Sequence, residues 1–157
     1  MRVLAIDPAT ACGWAVFEDG KPVAGGVWKL APKKNRGGGV RFLQLEIELR
    51  RILASEPLDM VFYELVRGHT GTYAAQIYGG LVATITKACE AYVVPYAGVP
   101  VHLVKKAATG RAGADKDEIV AAARKRWPTI NIRDHNHADA LWCGAAGLSD
   151  VGEAVAP

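Results

Sequence analysis

Two short apolar runs in this chain each end in an acid, and that repeat constrains the fold more than any other feature. The first is Arg2-Val3-Leu4-Ala5-Ile6-Asp7, followed at once by Pro8-Ala9-Thr10. The second is Leu58-Asp59-Met60-Val61-Phe62-Tyr63-Glu64. Each run has the length of a buried strand. The apolar residues belong in a core, and packing gives no reason for the acid that follows them. A carboxylate at a strand tip sits at the edge of a sheet, where ligands and metals bind in folds of this kind. Taken alone, Asp7 also reads as a turn former or a helix N-cap ahead of Pro8. Glu64 repeats the pattern, and the repeat favours a site.

The elements around these strands follow from periodicity and turn residues. Gly13-Trp14-Ala15-Val16-Phe17-Glu18 reads as a second strand, and Asp19-Gly20 is a hairpin turn signal. Residues 23–30 form a third strand, in which Gly25-Gly26 marks a bulge or close packing. Residues 31–39 are a Gly-rich, positive loop. Val40–Ser55 is a helix with a wide apolar face made of Leu43, Ile47 and Ile52 together with Leu45, Leu49 and Leu53. After the Glu64 strand, residues 65–72 form a polar loop and residues 73–90 a helix rich in small residues, so something packs closely against it. That partner is the sheet or a second copy of the chain.

Residues 91–96 read as a short strand, 100–108 as a short helix and 109–113 as a loop. Asp115-Lys116-Asp117-Glu118 opens another helix, with acids in its first turn as the helix dipole favours, and Pro128 stops it. Asp134-His135-Asn136-His137 caps the last helix, which carries Asp139 among Ala, Leu, Trp, Cys and Gly. The chain has 157 residues, half of them hydrophobic, enough for one full core. We expect a single domain over residues 1–148 with a soft tail over 149–157.

Asp139 is the third acid that packing does not explain. An unpaired buried carboxylate costs several kcal/mol, so a partner such as a metal is expected; a polar surface stripe is the alternative. Oxygen ligands without thiolates favour a hard cation, Mg²⁺ or Mn²⁺. Cys12, Cys89 and Cys143 form no CxxC pair and read as small core residues, which argues against zinc and suits a reducing compartment. A carboxylate cluster can hold two ions about 4 Å apart, one activating water and the other stabilising the leaving oxygen of a phosphodiester. The net charge of +3 says little, but the basic residues are grouped. Lys33, Lys34, Arg36 and Arg41 fall together, as do Lys105, Lys106, Arg111 and Lys116, and then Arg124, Lys125 and Arg126. Such groups are commonly solvated faces; three on one small domain point to a polyanion. The chain opens on a strand rather than a signal peptide, and no apolar run approaches the length of a membrane span. The expectation is a cytoplasmic protein without a membrane partner.

The order of these elements resembles the ribonuclease-H-like fold, and more narrowly the RuvC-type Holliday-junction resolvases. Ile6-Asp7-Pro8 with Gly13-Trp14-Ala15 is similar to that family's opening hairpin, and Phe62-Tyr63-Glu64 to its second acid strand. Pro100 and Val104-Lys105-Lys106-Ala107-Ala108-Thr109-Gly110, followed by Ala114-Asp115-Lys116, resemble its lysine and threonine-glycine segment. His137-Ala138-Asp139-Ala140-Leu141 resembles its C-terminal acid motif. The likeness runs from residue 1 to about 148. The compact length and the loop Arg67-Gly68-His69-Thr70-Gly71-Thr72 look most like bacteriophage versions.

The resemblance implies an α/β fold with a mixed five-stranded sheet, three antiparallel strands first, flanked by helices. It implies an Mg²⁺-dependent endonuclease, with Mn²⁺ able to substitute and two ions per site, that nicks four-way junctions and related branched DNA. It would work as a homodimer through the 73–90 helix, in the cytoplasm of a bacterial or phage-infected cell. By carry-over, Asp7, Glu64 and Asp139 hold metal, and Lys105 and Lys116 contact the scissile phosphate. Arg67, His69 and Tyr73 sit at the junction centre, and Lys33, Lys34, Arg36, Lys106 and Arg111 are further DNA contacts. One position departs from the family, which has an Asp or His three residues before its last acid where this chain has Asn136. Helical geometry favours Asn136 and His135, Asp134 offers the only added charge, and His137 is adjacent; the fourth ligand stays open among them. A non-catalytic branched-DNA-binding protein and an RNA-processing nuclease of the same fold are the alternative functions.

Overall fold

The structure is a computed structural model, and it describes residues 1–32 and 34–155. Its sheet strands are β1 (Arg2–Asp7), β2 (Ala11–Glu18), β3 (Lys21–Lys29), β4 (Met60–Leu65) and β5 (Tyr96–Pro100). The helices are α1 (Val40–Ser55), α2 (Thr72–Tyr92), α3 (Val101–Thr109), α4 (Lys116–Arg126) and α5 (His135–Asp150). The sheet order is β3-β2-β1-β4-β5, with β1 to β3 antiparallel and β4 and β5 parallel to β1. This is the mixed five-stranded sheet, three antiparallel strands first, that the sequence leads one to expect.

The central position of β1 explains its unbroken apolar run. Val3, Leu4, Ala5 and Ile6 are all fully buried because helices cover both faces of the sheet. Side chains alternate between those faces. Val3 and Ala5 join Phe17, Phe62 and the inner residues of α4 and α5. Leu4 and Ile6 join Val61, Leu45 and Leu49 of α1, and Leu81 and Ile85 of α2. The three cysteines are buried free thiols, as their apolar surroundings suggest. Among the described residues, no helix is long and apolar enough to cross a membrane.

Asp19 and Gly20 both take positive φ, 47° and 77°, the type I′ pattern that suits a tight hairpin. The irregularity in the β2–β3 pair falls at Val16/Phe17, where Val16 faces Ala24 and Phe17 faces Pro22, so Val23 is the extra residue. The Gly25-Gly26 pair is therefore not the bulge. Gly25 serves close packing instead: a Cβ there would stand 2.4 Å from Nε2 of His137.

Two expectations need correction. Residues 91–96 are not a strand. Helix α2 runs on to Tyr92, and β5 begins only at Tyr96. The stop is Val93 in the left-handed region, φ 56°, its N–H donating to the carbonyls of Cys89 and Glu90. A β-branched residue rarely takes that conformation, so no glycine or asparagine signals the helix end. The apolar face of α1 is also narrower than the pattern suggests. Leu45, Leu49 and Leu53 are buried, whereas Leu43 and Ile47 are about half exposed. Arg41, one turn before Leu45, completes the buried stripe. Helix α5 continues to Asp150, and Arg126 donates to the carbonyl of Val155.

Helix α5 is the buried axis of its layer. Twelve of its sixteen residues are buried, and it crosses the sheet on two glycines. A Cβ on Gly144 would lie 2.4 Å from the Phe17 ring, and one on Gly147 would lie 2.5 Å from the Phe62 ring. Interior glycines weaken a helix by about 1 kcal/mol each. Here they let the helix backbone approach the strands that carry the acids.

Candidate active site

The β1–β4 register sets Ile6 beside Tyr63, so the next step along both parallel strands brings Asp7 beside Glu64. Alternation then points both acids toward α5, because Ala5 and Phe62, two residues before each, face that helix. Asp139 comes from α5, one turn before Cys143. The three acids line one cavity of about 470 Å³, together with Lys105 of α3, Lys116 of α4, His135 and Asn136.

The electrostatics are those of crowded carboxylates. Burial raises the Asp7 carboxyl well above its usual range, and Glu64 and Asp139 push it further against the pull of Lys116. Glu64 is pushed up to about 7 by burial and then by Asp139, with Lys105 opposing. Burial raises Asp139 to about 6 against His135, Lys116 and Lys105. Burial also raises the Cys143 thiol, and the charges of Glu64 and Asp7 add to it. These acids repel one another and lack enough counter-charge; a bound cation removes that repulsion. The donors are carboxylate oxygens, which fit a hard divalent ion. Among the described residues, no three His, Cys, Asp or Glu side chains are already gathered into a set able to hold an ion. The site has the donor chemistry without a closed coordination shell.

The four neighbours of Asp139 separate clearly. Asp134 is the N-cap of α5: it accepts from the His137 N–H at 3.1 Å and from the Asn136 side-chain amide at 3.3 Å. Its carboxylate is thus occupied by the helix end. The His137 ring turns away from the cavity, with Nδ1 accepting from the Arg133 N–H at 3.3 Å and Nε2 against Gly25. Only His135 and Asn136 reach the cavity. The Asn136 amide nitrogen donates to Asp134, which leaves its side-chain carbonyl oxygen as the atom it has to offer a cation.

None of the candidate DNA contacts among the described residues lines this cavity. Arg67 shares a smaller cavity of about 300 Å³ with Lys105 and His102. The His69 ring lies 4.6 Å from that of Tyr78. Tyr78 fixes the loop: its hydroxyl accepts from the Val66 N–H and donates to the Glu64 carbonyl, both at 2.9 Å. Tyr73 is 69% exposed. Lys34, Arg36 and Lys106 are exposed, Arg111 is ion-paired with Glu118, and Lys33 lies outside the described residues.

The residue that sequence reasoning undervalued is Arg41, read only as one of a basic group. It is 5% exposed and lines a third cavity, about 430 Å³, that also touches Asp7 and Ala9. Its position one turn before Leu45, Leu49 and Leu53 is the signal that places it on the buried stripe.

Neither a family model nor a curated protein sequence matches this chain. Solved structures do. The Thermus thermophilus RuvC structure superposes with a TM-score of 0.78 at 21% identity, covering 99% of both chains. T. thermophilus RuvC in complex with a Holliday junction substrate superposes with a TM-score of 0.75 at 19% identity, covering 93% of this chain and 92% of that one. The chain has the ribonuclease-H-like fold of those proteins over nearly its whole length.

Proposed function

We propose that this chain is a divalent-metal-dependent endonuclease that resolves four-way junctions and related branched DNA, acting as a homodimer. The observation that carries the reading is the convergence of Asp7, Glu64 and Asp139, from three separate elements, on one cavity flanked by Lys105 and Lys116. The near-complete overlap in fold with a RuvC that was solved on a Holliday junction supports the substrate class.

In this reading Asp7, Glu64 and Asp139 hold Mg²⁺, or Mn²⁺ in its place, and the Asn136 carbonyl or His135 completes the set. Bound ions supply a water nucleophile at neutral pH and stabilise the leaving oxygen. Lys105 and Lys116 orient the phosphate to be cut and offset its charge. Arg67, His69 and Tyr73 meet the strands near the branch point, and Lys34, Arg36 and Lys106 attract the DNA backbone. Two symmetric cuts need two matching sites, which a two-fold dimer through α2 supplies. Ala74, Ala75, Gly79 and Ala83 are exposed along that helix, which supports a close partner there.

The test is cleavage of labelled four-way and linear duplex DNA with Mg²⁺ or Mn²⁺. Wild type should nick the junction, and Asp7→Asn should bind it with near-normal affinity and cut at least about 10³-fold more slowly. An Asp7→Asn protein that cuts normally would show the site is misplaced. A second reading, a junction-binding protein without activity, draws on uncharged Asn136 and the unclosed ligand set. Tight junction binding with no cleavage by wild type in either metal would select it.

A further inference from the structure

Arg41 is a buried cation in an unfavourable place. It is the second residue of α1, where the helix dipole presents positive potential, and Gly39 at the N-cap offers no side chain to offset it. Its Nε donates to the Gly38 carbonyl at 2.9 Å, and Nη2 reaches the Tyr73 hydroxyl at 3.5 Å. None of the ion pairs among the described residues includes it. Arg41 is thus a buried residue whose charged head is met by a backbone carbonyl and a neutral hydroxyl rather than by a carboxylate, an arrangement that an anion would stabilise. The cavity it lines shares Asp7 and Ala9 with the acid cavity, and its other walls include His69, Tyr73 and Tyr78.

We propose that Arg41 binds a backbone phosphate of the strand being cut, one or a few nucleotides from the scissile phosphate. The guanidinium keeps N–H donors free after serving Gly38 and Tyr73, and its planar fork matches phosphate oxygens. Asp7 and Ala9 belong to the walls of both cavities, so a strand whose reacting phosphate lies between Lys105 and Lys116 would pass Asp7 and set a neighbouring phosphate on Arg41. This contact fixes the strand's register relative to the acids. It also places Tyr73 beside that phosphate as a second donor. The proposal rests on the nucleic-acid reading above.

The experiment measures binding of a four-way junction to Asp7→Asn and to Asp7→Asn/Arg41→Met across a salt series. The second variant should bind about tenfold more weakly, with a slope of log affinity against log salt smaller by about one. Single methylphosphonates are then placed along the cut strand. One position should weaken binding by Asp7→Asn and make no difference to the double variant. Equal slopes, or methylphosphonate penalties identical in both proteins, overturn the proposal. Should Arg41→Met fail to fold, wild type carries the test through the Arg41 Nε–Hε resonance, assigned by its loss in Arg41→Lys. That resonance should shift on titration with a six-nucleotide single strand and, more weakly, with inorganic phosphate; its failure to move with either overturns the proposal. A shift with phosphate in a protein that binds no junction would instead retain the anion site and overturn the nucleic-acid reading.

Discussion

On one face of the sheet, α5 lies so close to β1, β2 and β4 that two of its residues must be glycine. On the other face, α1 and α2 meet the sheet through ordinary side chains, Leu45, Leu49, Leu81 and Ile85. On that second side a close approach lies between the helices, where a Cβ on Gly80 would stand 2.5 Å from the Phe42 ring. The α5 face holds the three acids; the α1–α2 side holds Arg41 with Tyr73 and Tyr78. Close packing goes with the side that must set carboxylates against one another. The looser side bounds a cavity in which a buried cation still has unused donors. The comparison can be broken by filling each face in turn.

Gly147→Ala should give the largest change in stability. Its methyl would stand 2.5–2.7 Å from three atoms of the Phe62 ring, so ring or helix must move. A loss of about 1–3 kcal/mol in denaturant unfolding is expected. Glu64 lies two residues beyond Phe62 on the same face, so junction cleavage should fall as well. Unchanged stability would mean that α5 does not lie as close to β4 as the structure places it.

The second prediction sets the acid cavity against the rest of the molecule by pH. Glu64 rises from an ordinary 4.5 to about 7, and Asp139 from 3.8 to about 6. The folded protein therefore holds more protons than the unfolded chain between about pH 4 and 7. With chelator present, the stability these acids contribute is complete below about pH 4 and is lost as pH rises through 6 to 7. The expected change is about 1–3 kcal/mol, read as a falling melting temperature. Glu64→Gln should flatten the curve, and Mg²⁺ at pH 7 should restore the lost stability. A rise in metal-free stability between pH 4.5 and 7 would contradict the crowded-carboxylate description.

Asp134→Ala is a smaller change on the same side. It removes the N-cap of α5 and should cost about 1 kcal/mol. It also frees the Asn136 amide, so Mg²⁺ affinity should change if the Asn136 carbonyl is a ligand. An unaltered affinity, read by calorimetry, would leave His135 as the remaining neighbour at the cavity.

Much of this arrangement is legible in residue order. Asp7 and Glu64 announce themselves because each ends an apolar strand, and strand alternation does the rest once β1 and β4 pair. Asp139 is conspicuous because the residues that follow it, Ala140 to Leu148, are all apolar or glycine. The helix start at Asp115 and the Asp19-Gly20 turn are local and equally legible; that Asp115 and Glu118 close a capping box is seen only in the structure. Asp134 is legible as part of the cap of α5, but the sequence leaves it open as a fourth ligand as well, because a carboxylate near an active site and one at a helix end look alike until its partners are seen. Arg41 was hidden by its type: a charged residue among other charged residues reads as surface, and only its phase with Leu45 argues otherwise. The end of α2 at Val93 carried no signal at all, since the left-handed stop falls on valine.

Gly79→Ala tests the opposite side of the comparison and carries the smallest expected effect. Gly79 lies in the interior of α2, and nothing stands within 4 Å of where its Cβ would be. The methyl meets no neighbour within the chain, and it restricts the unfolded state. A monomer should gain about 0.5–1 kcal/mol. The neighbouring Gly80→Ala should lose stability instead, because its methyl would meet Phe42 at 2.5 Å. If two copies pack through α2, the Gly79 methyl enters their interface, and the dimer should weaken while the isolated fold strengthens. Melting temperature at low protein concentration and solution mass across a dilution series separate the two effects. Higher stability with unchanged dimerisation would move the partner off this part of α2.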